Sequence, residues 1–517
     1  MKRLTPLLAL LPMLSILSGC MVGPNYRAPD QPAPARFGET APDQAPAPGG
    51  SLQGWWRAYN DPELNRLVDI ALADGLDIKT AAARIAEARA QERVARSGLF
   101  PQVNADAQVQ SQRFSKNAGF SSLASAFGGG GQTGGATGGG DGQSASGVAL
   151  PGGFVTTYSL GFDASWELDI FGGTRRQMQS AAARTEAAVW NARDAQVSLV
   201  AEVVDDYFQI RQAQAREAVA HAEVARQARN LQIMGETAMV GLVPEGDTIR
   251  QRAQLAQAEA AVGPIVAEGK SQMHALAILL ARTPDSMILE LSQPGVALAM
   301  PPIVPPGLPS ELLRRRPDIR AAERNLAAAT ADIGVAVADL YPKFSLTGIA
   351  DLISTRLSNL FSSDSIQING SAKATFPLLD FGRRKGVVAQ KKAQADEAYY
   401  QYQQTVLGAL KDVEDALIRI RTEQQRNAQL RGGLADATRG LAAVDARYQT
   451  GLTDLTTVLS AQQSVLQNRD SVVQSDAQLR RDLVSLYKAL GGGWEGMPAI
   501  DDHATAAGIY EVPKKPK

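Results

Sequence analysis

Of 517 residues only one, Cys20, is a cysteine, so no disulfide within the chain can staple the fold. Three histidines, His221, His274 and His503, lie far apart, and with one cysteine they give no metal-ligand spacing. Charge of one sign is not in excess. The formal net charge is −1, which leaves no case for nucleic acid or an anionic surface as partner. Beyond the N-terminal segment no apolar run reaches 18 residues, so no transmembrane helix is predicted. A nucleophile elbow, a metal motif and a Cys/His pair are all missing. No catalytic residue, metal or cofactor is therefore expected, and pairs such as Asp205-Asp206 read as a solvated helix face.

The single thiol has a telling place. "MKRLTPLLALLPMLSILSGC" opens with Lys2 and Arg3 and continues with a short apolar run, Leu4 to Leu17, broken by Pro6 and Pro12. This run is too short to span as a good helix and fits a secretory signal peptide over residues 1–19. Leu17-Ser18-Gly19 ahead of Cys20 resembles the lipobox of bacterial lipoproteins, where the thiol is acylated and becomes the mature N-terminus. Residue 21 is Met, not the Asp that retains many such lipoproteins at the inner membrane. That resemblance sends the anchor to the outer membrane, where an acyl chain binds rather than spans.

The second half of the chain echoes the first. "GLDIKTAAARI" (Gly75–Ile85) aligns with "RPDIRAAERNL" (Arg316–Leu326), and "GLFPQVNADA" (Gly98–Ala107) with "DLYPKFSLTG" (Asp339–Gly348), both at an offset of 241 (318 − 77, 342 − 101). "DIFGGTRR" (Asp169–Arg176) then matches "LDFGRRK" (Leu379–Lys385), and "MVGL" (Met239–Leu242) matches "QTGL" (Gln449–Leu452), at 210 (381 − 171, 451 − 241). Between the two blocks the first copy carries "FGGGGQTGGATGGGDG" (Phe127–Gly142), which the second lacks. No Lys-Ser/Thr pair follows it, so it reads as a flexible surface loop rather than a phosphate cradle.

Each repeat holds two segments of period two, at about residues 101–112 and 154–168, then 342–352 and 366–376. In Phe154–Leu168 the residues Phe154, Tyr158, Leu160, Phe162, Trp166 and Leu168 share one face, opposite Ser159, Asp163, Ser165 and Glu167. Strands of about ten residues can cross a bilayer when tilted. Most of the rest reads as long helix. Val406, Leu410, Val413, Leu417 and Ile420 step by four and three, as do Val200, Val203, Tyr207 and Ile210 one repeat earlier. Val458, Val465, Val472, Leu479 and Leu486 recur every seven residues. Four strands cannot close a barrel, since the smallest membrane barrels have about eight. An open edge in lipid leaves backbone groups unpaired. If the strands cross a membrane, at least two chains share one barrel.

"VGPNY" after Cys20, "WWRAYNDPELNRLVDIAL" (Trp55–Leu72), "RRPDIRAAERNL" (Arg315–Leu326), "FPLLDFGRRK" (Phe376–Lys385), "RYQTGL" (Arg447–Leu452) and "LYKALGGGW" (Leu486–Trp494) occur in that order. The ordered set resembles the outer-membrane factors of tripartite efflux pumps, the lipoprotein branch similar to OprM, and more distantly TolC. The resemblance covers nearly all of the chain after Cys20. It implies a mainly α protein with a membrane β-barrel. Three chains would share a twelve-stranded barrel continuous with a long periplasmic α-barrel. It implies as partners a periplasmic adaptor, an inner-membrane transporter, commonly of the proton-driven RND type, and outer-membrane lipid. The expected organisation is a signal peptide (1–19), a lipidated extended segment (20–60), a first repeat (61–300), a second repeat (301–494) and a tail (495–517).

The function so implied is an outer-membrane exit duct for small molecules, lipid-anchored and extending into the periplasm. The alternatives are a duct for peptides or proteins, and an envelope coiled-coil lipoprotein with no pore. Gly241, Leu242, Gly451 and Leu452 are expected at the periplasmic tips, where they would dock the adaptor. By family likeness a carboxylate near the tip closes the duct. Asp454 is the best-placed acid and Asp247 its nearest analogue, although 454 − 210 falls on Pro244. A turn or helix-capping role for these acids stays open.

Overall fold

The computed structural model describes residues 21–30, 34–39, 52–113, 154–239, 244–292 and 305–500. Cys20, Gly241, Leu242 and the glycine-rich Phe127–Gly142 lie outside the described residues.

Chain order is α1 (Pro62–Asp74), α2 (Leu76–Ser97), β1 (Gln102–Arg113), β2 (Phe154–Leu168), α3 (Gly173–Met239), α4 (Glu245–Leu279), α5 (Ser286–Leu291), α6 (Pro309–Arg315), α7 (Pro317–Ala338), β3 (Lys343–Ser354), β4 (Ile366–Thr375), α8 (Arg383–Gln449) and α9 (Leu455–Ala489). The two offsets of the sequence reappear in these bounds. Helices α2 and α7, like strands β1 and β3, begin 241 residues apart (317 − 76, 343 − 102), and α3/α8 and α4/α9 begin 210 apart (383 − 173, 455 − 245). Strand ends fall within two residues of those predicted.

Helices α3 and α8 each run 67 residues, on the order of 100 Å at roughly 1.5 Å per residue. Ala, Gln and Arg are the commonest residues in them, and these lose little on entering a helix. The predicted seams are where the burial is. Val200, Val203, Tyr207, Ile210, Val406, Val413 and Ile420 are buried, and Leu410 and Leu417 pack beside them. Asp205-Asp206 departs from its expected solvated face. Both are half-buried, and Asp205 accepts hydrogen bonds from Arg481 Nε and Nη2 at 2.7 and 3.1 Å. Sequence periodicity shows which face a residue occupies but not that Arg481, on α9, covers it.

Close contacts divide the chain into two discontinuous compact units that cut across the repeats. One comprises residues 1–25, 92–180 and 330–392, the other 26–91, 181–329 and 393–517. In the second unit Trp55 stacks on Tyr487 at 4.6 Å and Tyr59 meets Phe208 edge-on at 4.8 Å. Asp61 caps α1, accepting from the N–H of Glu63 and Leu64 at 2.9 and 3.3 Å, and its other oxygen takes the Tyr207 hydroxyl at 2.5 Å. A carboxylate 3% exposed is tolerated because each oxygen has a donor.

In the first unit the four strands form one antiparallel sheet, in order β1-β2-β3-β4. Residues 21–25 are seated there by Arg176, itself 3% exposed. Its Nε donates to Val22 O at 3.1 Å, and its Nη2 to Gly23 O at 3.2 Å and Asn25 Oδ1 at 2.8 Å. Gly23 (φ +87°) lies so close to Gly334 that a Cβ would sit 2.5 Å from its Cα, so only glycine permits this approach.

Candidate functional site

Among the described residues no helix is long and apolar enough to cross a membrane. The sheet has a different claim. Its strands run 12, 15, 12 and 10 residues, and a tilted strand of about 9–11 crosses the hydrocarbon layer. Period two sorts the faces. Val103, Val109, Phe154, Leu160, Phe162, Leu346, Ile366 and Ile368 are all large, apolar and exposed. On the other face Asn104 Nδ2 donates to Asp163 Oδ2 across the strands at 3.1 Å. One cross-strand row there reads Asp106, Gly161, Asp351, flanked by Asp163. The glycine makes the room, because a side chain at 161 would collide with the Asp351 carboxylate. Among the described residues the sheet thus has one greasy face, one acidic polar face, and two edges, β1 and β4, with no strand paired to them. Every residue of both edge strands is exposed.

The second candidate region is the turn between α8 and α9. Gly451 takes φ +72° and ends α8. Its N–H donates to Tyr448 O at 3.0 Å, and that of Leu452 to Arg447 O at 2.9 Å, a Schellman pair that satisfies two last-turn carbonyls. The Leu452 side chain stands 69% exposed. Asp454 is the N-cap of α9. Its Oδ1 accepts from Thr457 N at 2.8 Å, Thr457 Oγ1 at 2.7 Å and Thr456 Oγ1 at 2.9 Å. These bonds, with the charge of Arg250, hold its carboxyl below the usual aspartate range.

At the matching place before α4 stands Pro244, which offers no side-chain cap. Asp247 sits in the first turn of α4, and Arg250 Nη1 approaches its Oδ1 at 3.5 Å. Arg250 therefore lies within electrostatic reach of both candidate acids. The sequence reading missed it, because nothing in the spacing brings α4 to the start of α9.

Deeper in the same unit, burial and the charges of Asp205 and Glu202 push Asp206 up to about 7, against the pull of Arg481.

A family model described as outer membrane efflux protein matches residues 67–265 and 308–492. The outer membrane protein OprJ of Pseudomonas aeruginosa is 30% identical over 483 residues, covering 93% of this chain and 94% of that protein. Nodulation protein T of Rhizobium leguminosarum bv. viciae is 28% identical over 492 residues, covering 94% and 93%. A solved structure of the outer-membrane channel OprN superimposes with a TM-score of 0.80 at 34% identity, covering 92% of this chain and all of that one. A long helical scaffold carrying one four-stranded antiparallel sheet is common to the match and to the geometry above, and the chain belongs to the outer membrane efflux protein family.

Proposed function

We propose that this protein is the outer-membrane exit duct of a tripartite efflux pump, passing small molecules outward from a periplasmic adaptor and an inner-membrane transporter. The observation that carries the reading is the sheet: apolar on one face, acidic on the other, long enough to cross, and open at both edges. Such a sheet is stable in lipid only when its edges are paired, so copies of the chain share one barrel. Three copies would supply twelve strands, with the apolar face toward lipid and Asp106, Asp163 and Asp351 toward the lumen. Acylated Cys20 would add a lipid anchor beside the barrel.

The turns around 241–247 and 451–455 are read as the adaptor-docking end, with Leu452 as an exposed apolar contact. Asp454, and less directly Asp247, are read as the carboxylates at the closed end of the duct. The capping role of Asp454 is compatible with this, because Oδ1 receives all three bonds and Oδ2 takes part in none of them.

The reading is tested by reconstituting purified protein in a planar bilayer. Ion conductance through an oligomer is expected, and a folded monomer without conductance would refute the duct. A photo-cross-linker at Leu452 is expected to capture the adaptor. Capture solely from positions on the sheet would move the docking site elsewhere.

A further inference from the structure

At one end of the sheet all four strands pass into helices, since Gln102 pairs with Ser165, Leu168 with Phe344 and Lys343 with Thr375. We infer that the turn from β4 into α8 is a binding site for anionic phospholipid of the periplasmic leaflet. Leu378, Leu379 and Phe381 enter the acyl region, and Arg383 and Lys385 hold the phosphate diester. The inference rests on the membrane-crossing sheet proposed above.

The turn is built, not loose. Asp380 closes it, accepting from the N–H of Gly382 at 3.0 Å and of Arg384 at 3.3 Å. Arg384 Nη1 ties the start of α8 to Asp339 O at 2.5 Å. On this fixed frame Leu378, Leu379 and Phe381 stand 89%, 74% and 93% exposed. Phe381 also holds a left-handed φ of +53°, a conformation that large side chains rarely adopt. The apolar face of β4 leads into the turn: Ile366, Ile368, Ala372 and Ala374 alternate along the strand, and the alternation continues to Phe376 and Leu378. Contiguous exposed apolar side chains mark a partner or a membrane. Arg383 and Lys385, exposed beside them, make no side-chain hydrogen bond or ion pair among the described residues.

The two inner junctions show what this one lacks. At the turn from β2 into α3, Phe171 stacks on Tyr341 at 4.6 Å, and Met21 lies against Gly172. Its cations are spent on the chain itself. Arg175 Nε donates to Asp169 Oδ2 at 3.1 Å, and Arg176 holds residues 22, 23 and 25. Between α7 and β3, Lys343 Nζ meets Asp339 Oδ1 at 3.0 Å and Glu167 Oε1 at 3.6 Å. The turn into α8 pairs the same kinds of side chain with nothing.

Charge selects the occupant. The other outer junction, from α2 into β1, repeats the make-up: Val94 and Phe100 are exposed, and so are Arg93 and Arg96, again without a side-chain partner among the described residues. Copies sharing one barrel would bring cations toward cations at this level, a repulsion that an anionic headgroup relieves. Arginine matches a phosphate with two parallel N–H donors, and lysine adds a point charge. Apolar side chains next to free cations are the make-up of an interfacial anchor on anionic lipid. The formal net charge of −1 conceals this rim, because it averages the rim with the rest of the chain.

Two measurements on the full lipoprotein test the site. A photo-cross-linking p-benzoylphenylalanine placed at position 378 in living cells is expected to yield chiefly a monomer carrying the mass of one phospholipid. A second copy of the chain as the main product would overturn the site and assign the turn to the contact between copies. In the second measurement, native mass spectrometry counts lipid bound to the purified oligomer. Phosphatidylglycerol is expected to bind at least tenfold more tightly than phosphatidylethanolamine. Arg383→Gln and Lys385→Gln should each weaken it about fivefold at unchanged conductance. Equal affinity for the two lipids, or a preference that survives the double variant, would overturn the site. Displacement of the lipid by millimolar inorganic phosphate would overturn it too, leaving a simple anion site. Wild type that fails to insert and conduct would overturn the crossing sheet and this site with it, whereas inserted, conducting protein without lipid preference overturns the site alone.

Discussion

Replacing Asp206 by Asn removes a carboxylate that folding disfavours in its charged form. Burial is the largest cause, followed by Asp205 and Glu202, and the group is pushed up to about 7. A carboxyl raised in the folded state binds more protons folded than unfolded between about pH 4 and pH 7, so wild-type stability falls as pH rises through that window. A shift of about three units corresponds to about 4 kcal/mol. The side chain keeps contact with water and the Arg481 charge lies nearby, so about half of that, about 2 kcal/mol, is the better expectation. Asp206→Asn is therefore expected to match wild type at pH 4.5 and to exceed it by about 2 kcal/mol at pH 8. Thermal melts followed by helix circular dichroism at both pH values in one detergent would show the two midpoints separating only at the higher pH. Equal midpoints at pH 8, or a variant less stable there, would mean that Asp206 is charged and satisfied in the fold.

Tyr207→Phe leaves one oxygen of buried Asp61 without its donor, and a loss of about 2 kcal/mol is expected in urea titrations; no loss would mean that water replaces the hydroxyl. Gly451→Val must hold a β-branched side chain at φ +72°, costing about 1–2 kcal/mol, which should appear as faster hydrogen exchange in the last turn of α8 and not in α1. If the acidic face lines the lumen, Asp351→Asn should lower the cation-to-anion permeability ratio in a planar bilayer, and an unchanged reversal potential would place that face elsewhere. Asp454→Ala should alter single-channel conductance and its response to divalent cations at unchanged oligomer yield; wild-type behaviour would remove it from the gate.

The fold was legible where it depends on periodicity and on repetition. Short matches such as "GLFP" with "DLYP" were enough to place β1 and β3 at corresponding positions of the two repeats, because a duplicated stretch that folds the same way starts at the same places. The seam residues Val203, Tyr207, Val413 and Ile420 were legible because a buried stripe on a helix imposes its own spacing. What could not be read is what meets a given face. Arg250 and Asp454 are 204 residues apart (454 − 250), and Arg481 and Asp205 are 276 apart (481 − 205); no local pattern links either pair.

The two turns show why a repeat preserves shape more faithfully than chemistry. Helix α9 starts from Asp454, a side-chain cap of a kind worth about 1 kcal/mol. Helix α4 starts at the same repeat position from Pro244, which has a suitable backbone angle and no cap. Its first turn instead carries Glu245 and Asp247, whose charges oppose the positive end of the helix dipole. Either arrangement can start a helix, so the common 35-residue length of α4 and α9 survives the exchange. The acids themselves do not superimpose: one is locked by two threonines, the other faces Arg250. A functional role assigned by repeat position alone would have fallen on a proline. The expectation for Asp454 and Asp247 rests on family likeness and on their places beside the turns, and the fold adds a cation, Arg250, within reach of both.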